Sequence, residues 1–348
     1  MNSFSFGGSK VTEKGSCYII AEIGHNHQGD LGIALKMIKV AASCGVQAVK
    51  FQKRNNKALF TKEYYNRPYD NENSFGVTYG DHREFLEFGI DEYVELKKCA
   101  DENGVEFMVT PFDFDSVDFL EELKITSYKS ASADITNTPL LEYMAKKGKP
   151  MFVSTGAASI EEIHIACNAI SKYNGKICLM HCTAGYPTEY HNLNLKVIET
   201  LQREFPDLII GYSGHDDGLL APIIAYMLGA TVFEKHFTLK HAWKGTDHKF
   251  SLNPEGLRKQ VRDLSRVDVA MGDGKRTLYD FEKEARIKMG KGIYASKPLS
   301  AGTIITMDEI SFKTPANGTP PYMVDKILGK RMKVDLAEEL SIHMKYLE

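Results

Sequence analysis

The sequence predicts a (β/α)8 TIM barrel followed by a small β-rich module, on three observations. Short apolar runs alternate with amphipathic stretches about eight times. The alternation fills roughly 250 residues, the size of a closed barrel. Ionisable and hydroxyl residues stand at the C-terminal end of nearly every run, where such barrels carry their chemistry.

The elements follow in order. Residues 1–16 are polar and contain glycine, and read as a short hairpin or plug. CYIIAEIG (17–24) is the first strand, and LGIALKMIKVAASCG (31–45) a helix with a glycine stop. VQAVKFQ (46–52) is the second strand, followed by a long polar loop. Helix 91–104 precedes strand 105–111, helix 116–124 strand 125–130, and helix 138–148 strand 150–155. Helix 159–175 precedes strand 176–182, helix 193–206 strand 207–213, and helix 218–229 strand 231–236. Residues 254–272 form a last amphipathic helix. Continuously apolar strands indicate a parallel sheet buried on both faces. An open doubly wound sheet is the competitor, but no GxGxxG follows the first strand. The domain expectation is a barrel over 1–275, a linker over 276–290 and a module over 291–348. That module has short alternating runs, many turn residues and no long helix before about Val324.

Composition narrows the function. A formal net charge of −3 gives no reason to expect nucleic acid or an anionic membrane as partner. No apolar run has the length of a membrane span, and MNSFSFGGSK lacks the features of a signal peptide. Six scattered cysteines without a CxxC read as reduced thiols in a cytoplasmic protein.

The strand ends divide into two chemistries. Lys50 and Lys129, with the hydroxyls of Thr110, Ser132, Ser154 and Ser213, form a donor-rich cationic surface suited to phosphate and carboxylate. His215 and His236, with the carboxylates Glu22, Glu234 and Asp247, suit a divalent metal and acid–base work. Each residue also has a plainer role. A strand lysine often closes a barrel mouth, Glu22 can be a buried partner of Lys50, and a single strand-end histidine is more often structural. The two histidines on adjacent strands favour shared metal ligation.

The stretches AEIGHNHQGD (21–30), AVKFQK (48–53), YKSASADITN (128–137), HCTAGYP (181–187), GYSGH (211–215) and EKHFTLKHAWKGTDHKFSL (234–252) resemble the sialic acid (N-acetylneuraminate) synthase family. KGIYASKPLSAGTIITMDEI with the later ILGK resembles its C-terminal antifreeze-like (SAF) domain. The resemblance implies condensation of phosphoenolpyruvate with the aldehyde of an open-chain amino sugar, with release of phosphate by C–O cleavage. His215 and His236 would hold Mn²⁺, with Mg²⁺ or Co²⁺ as substitutes. Lys50, Thr110, Lys129, Ser132, Ser154 and Ser213 would bind phosphoenolpyruvate. Glu22, Gln52, Tyr186 and Asp247 would orient the sugar and a metal-bound water, and Glu234 would support the metal. The family also implies a domain-swapped homodimer.

Three departures bear on the acceptor. Ala184 stands where many bacterial members have a phosphate-binding Asn or Ser. Thr314 stands where an arginine reaches the sugar acetamido group, and Phe250 replaces a small residue. N-acetylmannosamine, its 6-phosphate, a diacetamido sugar and mannose all remain open. The alternatives are a synthase of legionaminic, pseudaminic or deaminated type, a metal-dependent pyruvate aldolase, and a non-catalytic carbohydrate-binding protein. Ordinary histidine behaviour puts loss of activity below about pH 6.5.

Overall fold

The structure, a computed structural model, describes residues 2–13 and 17–348. Residues 14–16, at the end of the expected hairpin, lie outside the described set. The chain divides into two compact units, Met1–Met271 and Gly272–Glu348.

The first unit is a closed parallel barrel. Its strands are β3 (Tyr18–Gly24), β4 (Ala48–Lys53), β5 (Glu106–Pro111), β6 (Tyr128–Ser130), β7 (Met151–Ser154), β8 (Ile177–Cys182), β9 (Ile209–Gly214) and β10 (Val232–His236). Closure comes from the pairing of β10 with both β9 and β3, which sets Glu234 beside Ser213 and His236 beside Glu22. The hairpin reading of the N-terminus holds: β1 (Ser3–Phe6) and β2 (Ser9–Thr12) pair antiparallel. Phe4, Phe6 and Val11 pack against the barrel interior at Tyr18, Ile20, Ala48, Met108, Phe152, Cys178 and Val232. One end of the barrel is therefore plugged by apolar side chains.

Alternation along each strand separates two environments. On β3, Ile20 belongs to the interior layer, whereas Ile19, Ala21 and Ile23 belong to the large cluster beneath the helices. That cluster takes the apolar faces of helices such as α1 (Leu31–Ser43), which buries Ala34, Met37, Ile38 and Ala41. Asp30 caps α1 through Ile33 N at 2.9 Å, and Gly45, at φ +89°, supplies the left-handed stop.

One region differs from the sequence reading. The long polar loop after β4 contains three short helices, α2 (Asn56–Leu59), α3 (Lys62–Asn66) and α4 (Tyr79–Leu86), capped by Asn55, Thr61 and Thr78. They are too short to show hydrophobic periodicity. Aromatic contacts tie them together, with Phe60 and Tyr64 5.2 and 5.0 Å from Tyr79. The C-terminal unit carries the antiparallel pairing expected of a small β-rich module. Helix α12 (Asp280–Met289) leads into β11 (Gly292–Ala295) and β12 (Ile310–Lys313), and the remaining pairing is by isolated bridges such as Leu299 to Leu336 and Met332 to Leu347. Prolines and glycines in TPANGTPP interrupt longer ladders. Ile293, Ile305, Ile327, Met332 and Ile342 still form its buried core.

All six cysteines are unpaired. Among the described residues, no helix is long and apolar enough to cross a membrane.

Candidate active site

A cavity of about 430 Å³ opens at the C-terminal ends of the strands. Its lining includes every residue singled out from the sequence: Glu22, Lys50, Gln52, Thr110, Lys129, Ser132, Ser154, Tyr186, Ser213, His215, Glu234, His236 and Asp247.

One wall is a buried charge network. Lys50 Nζ lies 2.8 Å from Glu22 Oε2 and 3.4 Å from Glu234 Oε1, and donates to Thr110 Oγ1 at 2.9 Å. Gln52 donates to Glu22 Oε1 at 2.6 Å. Burial works against the Lys50 charge, but Glu22 and Glu234 outweigh it and hold the ammonium above its ordinary range. Burial likewise works to raise the Glu234 carboxyl, yet Lys129, Lys50 and His236 hold it below the carboxylate range. Among the described residues, Lys129 has no carboxylate in contact. It donates to the Ser130 carbonyl at 2.8 Å and to the Ser154 hydroxyl. Burial, aided by Lys50, lowers its pKa despite Glu234. A buried ammonium bonded only to neutral oxygens is ready for an anion. Ser132 Oγ accepts from Gly156 N at 3.1 Å across the same wall.

The other wall carries the histidines. Their ring centroids are 5.3 Å apart, with His215 after β9 and His236 ending β10. His215 Nδ1 is 3.1 Å from the Thr183 carbonyl, an acceptor only, so that nitrogen carries the proton and Nε2 keeps its lone pair. Burial and then His236 push His215 down to about 4. Asp247 Oδ2 stands 3.6 Å from His236 Nδ1, and Thr246 donates to Asp247 Oδ1 at 2.8 Å. Burial works to raise the Asp247 carboxyl, but His236, Thr246, His25 and Arg83 together hold it below the carboxylate range.

Among the described residues, no group of three or more His, Cys, Asp or Glu side chains is arranged to hold a metal ion by itself. Two imidazoles leave the other positions of a catalytic ion to substrate and water. Glu234 Oε2 and His236 Nδ1 are buried atoms without a hydrogen-bond partner, an unmet polar demand beside the pair. The donor set fits a divalent ion.

Tyr186 covers the histidines, its ring 4.2 Å from that of His215. Phe250 does not line the cavity. It is buried behind the pair, 5.0 Å from His236 and 6.0 Å from His215. Gly245, Thr246 and Asp247 are the part of its turn that reaches the cavity.

Arg54, Arg83, His25, Asn26, His82 and Thr246 also line the cavity and were not among the site residues expected from the sequence. Arg54 shares the parity of Lys50 and Gln52, so a period-two count along β4 places it inward. Arg83 lies on α4 and carried no strand-end signal.

The NeuB family matches residues 37–276, and the SAF domain matches residues 290–342. The chain is 40% identical over 327 residues to the N-acetylneuraminate-9-phosphate synthase of Homo sapiens, covering 94% of this chain and 91% of that one. It is 33% identical to the N,N'-diacetyllegionaminic acid synthase of Legionella pneumophila, over 98% of this chain and 96% of that one. A crystal structure of N-acetylneuraminic acid synthetase from Leptospira borgpetersenii, in complex with citrate, superposes with a TM-score of 0.70 at 33% identity, covering 82% of this chain and 95% of that one.

Proposed function

Because this chain belongs to the NeuB family, whose named relatives are synthases of sialic and related nonulosonic acids, we propose that it condenses phosphoenolpyruvate with the aldehyde of an open-chain N-acetylmannosamine-type sugar and releases phosphate. The observation that carries this reading is the two-walled cavity. Lys50, Lys129 and the hydroxyls of Thr110, Ser132, Ser154 and Ser213 line one side, and His215, His236 and Asp247 the other.

On the first wall, Lys129 and Lys50 would hold the phosphate and carboxylate of phosphoenolpyruvate, and the hydroxyls would fix its orientation. On the second, His215 and His236 would hold the divalent ion with Glu234 in support, Mn²⁺ being the expected one. When bound, the ion supplies Lewis acidity that makes the sugar aldehyde more electrophilic. Tyr186, Gln52 and Glu22 would orient the acceptor.

The chemistry follows from that placement. The C2–C3 π pair of the enol forms the new C–C bond to the aldehyde carbon, and the aldehyde oxygen takes up a proton to become a hydroxyl. Water adds to the electron-deficient C2 and gives its proton to Asp247, a carboxylate at neutral pH. The C2–O bond then breaks, phosphate leaves with the bridging oxygen and takes the proton of the new C2 hydroxyl, and C2 becomes the ketone of the product. The proton received by Asp247 balances the one taken up by the aldehyde oxygen. Buried donors at the phosphate end favour that departure.

A second subunit would place its SAF domain beside this cavity, as the family resemblance implies. Sedimentation of the full chain tests the dimer. Phosphoenolpyruvate consumed in step with acceptor and released phosphate supports the reaction. Pyruvate consumed together with the acceptor, without phosphate release, is the outcome expected of an aldolase.

A further inference from the structure

Asp247 takes a proton in the proposed reaction, yet few contacts fix its carboxylate directly. Thr246 donates to Oδ1 at 2.8 Å, and His236 Nδ1 stands 3.6 Å from Oδ2. Asp247 lies in the 237–252 loop after β10, in which Lys240, His241, Lys244 and Thr246 are exposed. A side chain on such a loop is held only as well as the main chain beneath it.

Two buried polar side chains supply that hold. Asn26, in the turn between β3 and α1, is 2% exposed, and Ser251, at the end of the loop, is 3% exposed. Asn26 Nδ2 donates to the Phe237 carbonyl at 2.8 Å and to Ser251 Oγ at 2.9 Å. A carbonyl only accepts, which fixes the orientation of the amide. Ser251 Oγ therefore accepts from Asn26, and its single O–H donates to the Asp247 carbonyl at 2.6 Å. The Ser251 carbonyl in turn accepts from His241 Nε2 at 2.9 Å. Leu252 N donates to the His236 carbonyl at 2.7 Å, and Thr238 N to the Leu252 carbonyl at 2.9 Å, so the base of the loop is closed.

These bonds form one directed chain. Phe237 follows His236, so the Asn26 amide ties the end of β10 to the Asp247 main chain through one hydroxyl. Asn26 reaches over from the β3 side, across the seam where β10 pairs with β3 and the barrel closes. A buried and fully bonded network of this kind holds one geometry. We propose that Asn26 and Ser251 are positioning residues that set the Asp247 carboxylate against His236 for the addition of water to C2. Ser251 does not line the cavity, so it acts through Asp247 and not on substrate. The proposal rests on the synthase reading, in which Asp247 takes the proton of that water.

Trp243 is the one tryptophan of the chain and belongs to the same loop. Its fluorescence therefore reads the loop in the full-length enzyme, without substrate or metal. Acrylamide quenching should rise in Ser251→Ala, which leaves the Asp247 carbonyl without its donor. Asn26→Ala cuts the same chain at its other end and should act in the same direction. In steady-state kinetics with Mn²⁺, kcat of Ser251→Ala should fall by about 10-fold or more, with the KM for phosphoenolpyruvate near that of the native enzyme, as displacement of a reacting group implies. In an Asp247→Asn background the same substitution should cost about 2-fold or less, because groups that act as a unit are not additive. Quenching unmoved in both variants, or kcat unmoved in Ser251→Ala, overturns the proposal. An equal loss of kcat with and without the Asp247 carboxylate overturns action through Asp247. A native enzyme that releases no phosphate from phosphoenolpyruvate and acceptor sinks the synthase reading, while quenching still decides whether Asn26 and Ser251 hold the loop, so the two failures are distinguishable.

Discussion

Lys235 Nζ lies 2.9 Å from Asp216 Oδ1, and neither side chain is more than 1% exposed. Asp216 also accepts from Tyr212 Oη at 2.6 Å. Lys235 precedes His236 and Asp216 follows His215, so this buried pair ties together the two strand ends that carry the histidines. Removing one partner strands the other charge in the core. Lys235→Met should cost about 3–5 kcal/mol in denaturant unfolding. The double variant Lys235→Met with Asp216→Asn should cost less than the sum of the singles. Additive losses would show that the pair is not coupled.

The plugged end and the catalytic end should separate in their responses. Phe6 is buried against Phe152, with ring centroids 5.4 Å apart, at the end of the barrel away from the cavity. Phe6→Ala should lower stability by about 3–5 kcal/mol and leave the KM for phosphoenolpyruvate near that of the native enzyme. His236→Ala should do the reverse, keeping a cooperative unfolding transition while turnover falls by 100-fold or more, an estimate from the loss of an electrostatic stabiliser. Thermal melts and steady-state kinetics on both variants check the contrast.

Stability should fall as pH drops through the acidic range. Burial pushes His27 down to about 3, burial with Arg83 and Lys244 pushes His82 to about 4, and burial with His241 pushes His248 to about 4 against the pull of Asp247. In the unfolded chain the same groups titrate near about 6.5. Between those values the unfolded state binds more protons, so folding free energy decreases as pH is lowered, by up to about 1.4 kcal/mol per pH unit for each histidine. Urea midpoints measured from pH 7 to pH 4.5 should decline steadily. A flat profile would contradict neutral, buried imidazoles.

Chelation should abolish turnover, and Mn²⁺ should restore it. The same metal should quench tryptophan fluorescence or raise the melting temperature of the native chain, and do so less in His215→Ala. Full activity after exhaustive chelation would argue against ligation by the histidine pair.

What was legible in the sequence follows from periodicity and from the position of polar residues. Strand ends such as Lys50, Ser154, Ser213 and His236 were readable because each apolar run stops where the cavity begins. Gly45 marked the end of α1 as a glycine stop, whereas the Asp30 cap was not read from the sequence. Arg83 was not readable, because α4 spans only Tyr79–Leu86 and is held by aromatic contacts distributed over the whole 60–82 stretch. Phe250 lies outside the cavity lining. Its turn reaches the cavity at Asp247, but the chain then folds back and buries the ring behind the histidines.

The central claim is a condensation that breaks the C–O bond of phosphoenolpyruvate. The most direct measurement uses phosphoenolpyruvate labelled with ¹⁸O at the bridging oxygen, with Mn²⁺ and an N-acetylmannosamine-type acceptor, followed by mass spectrometry of the released phosphate. The account predicts one phosphate per product, carrying the label. Label retained in the organic product, or phosphate released without acceptor being consumed, would contradict it.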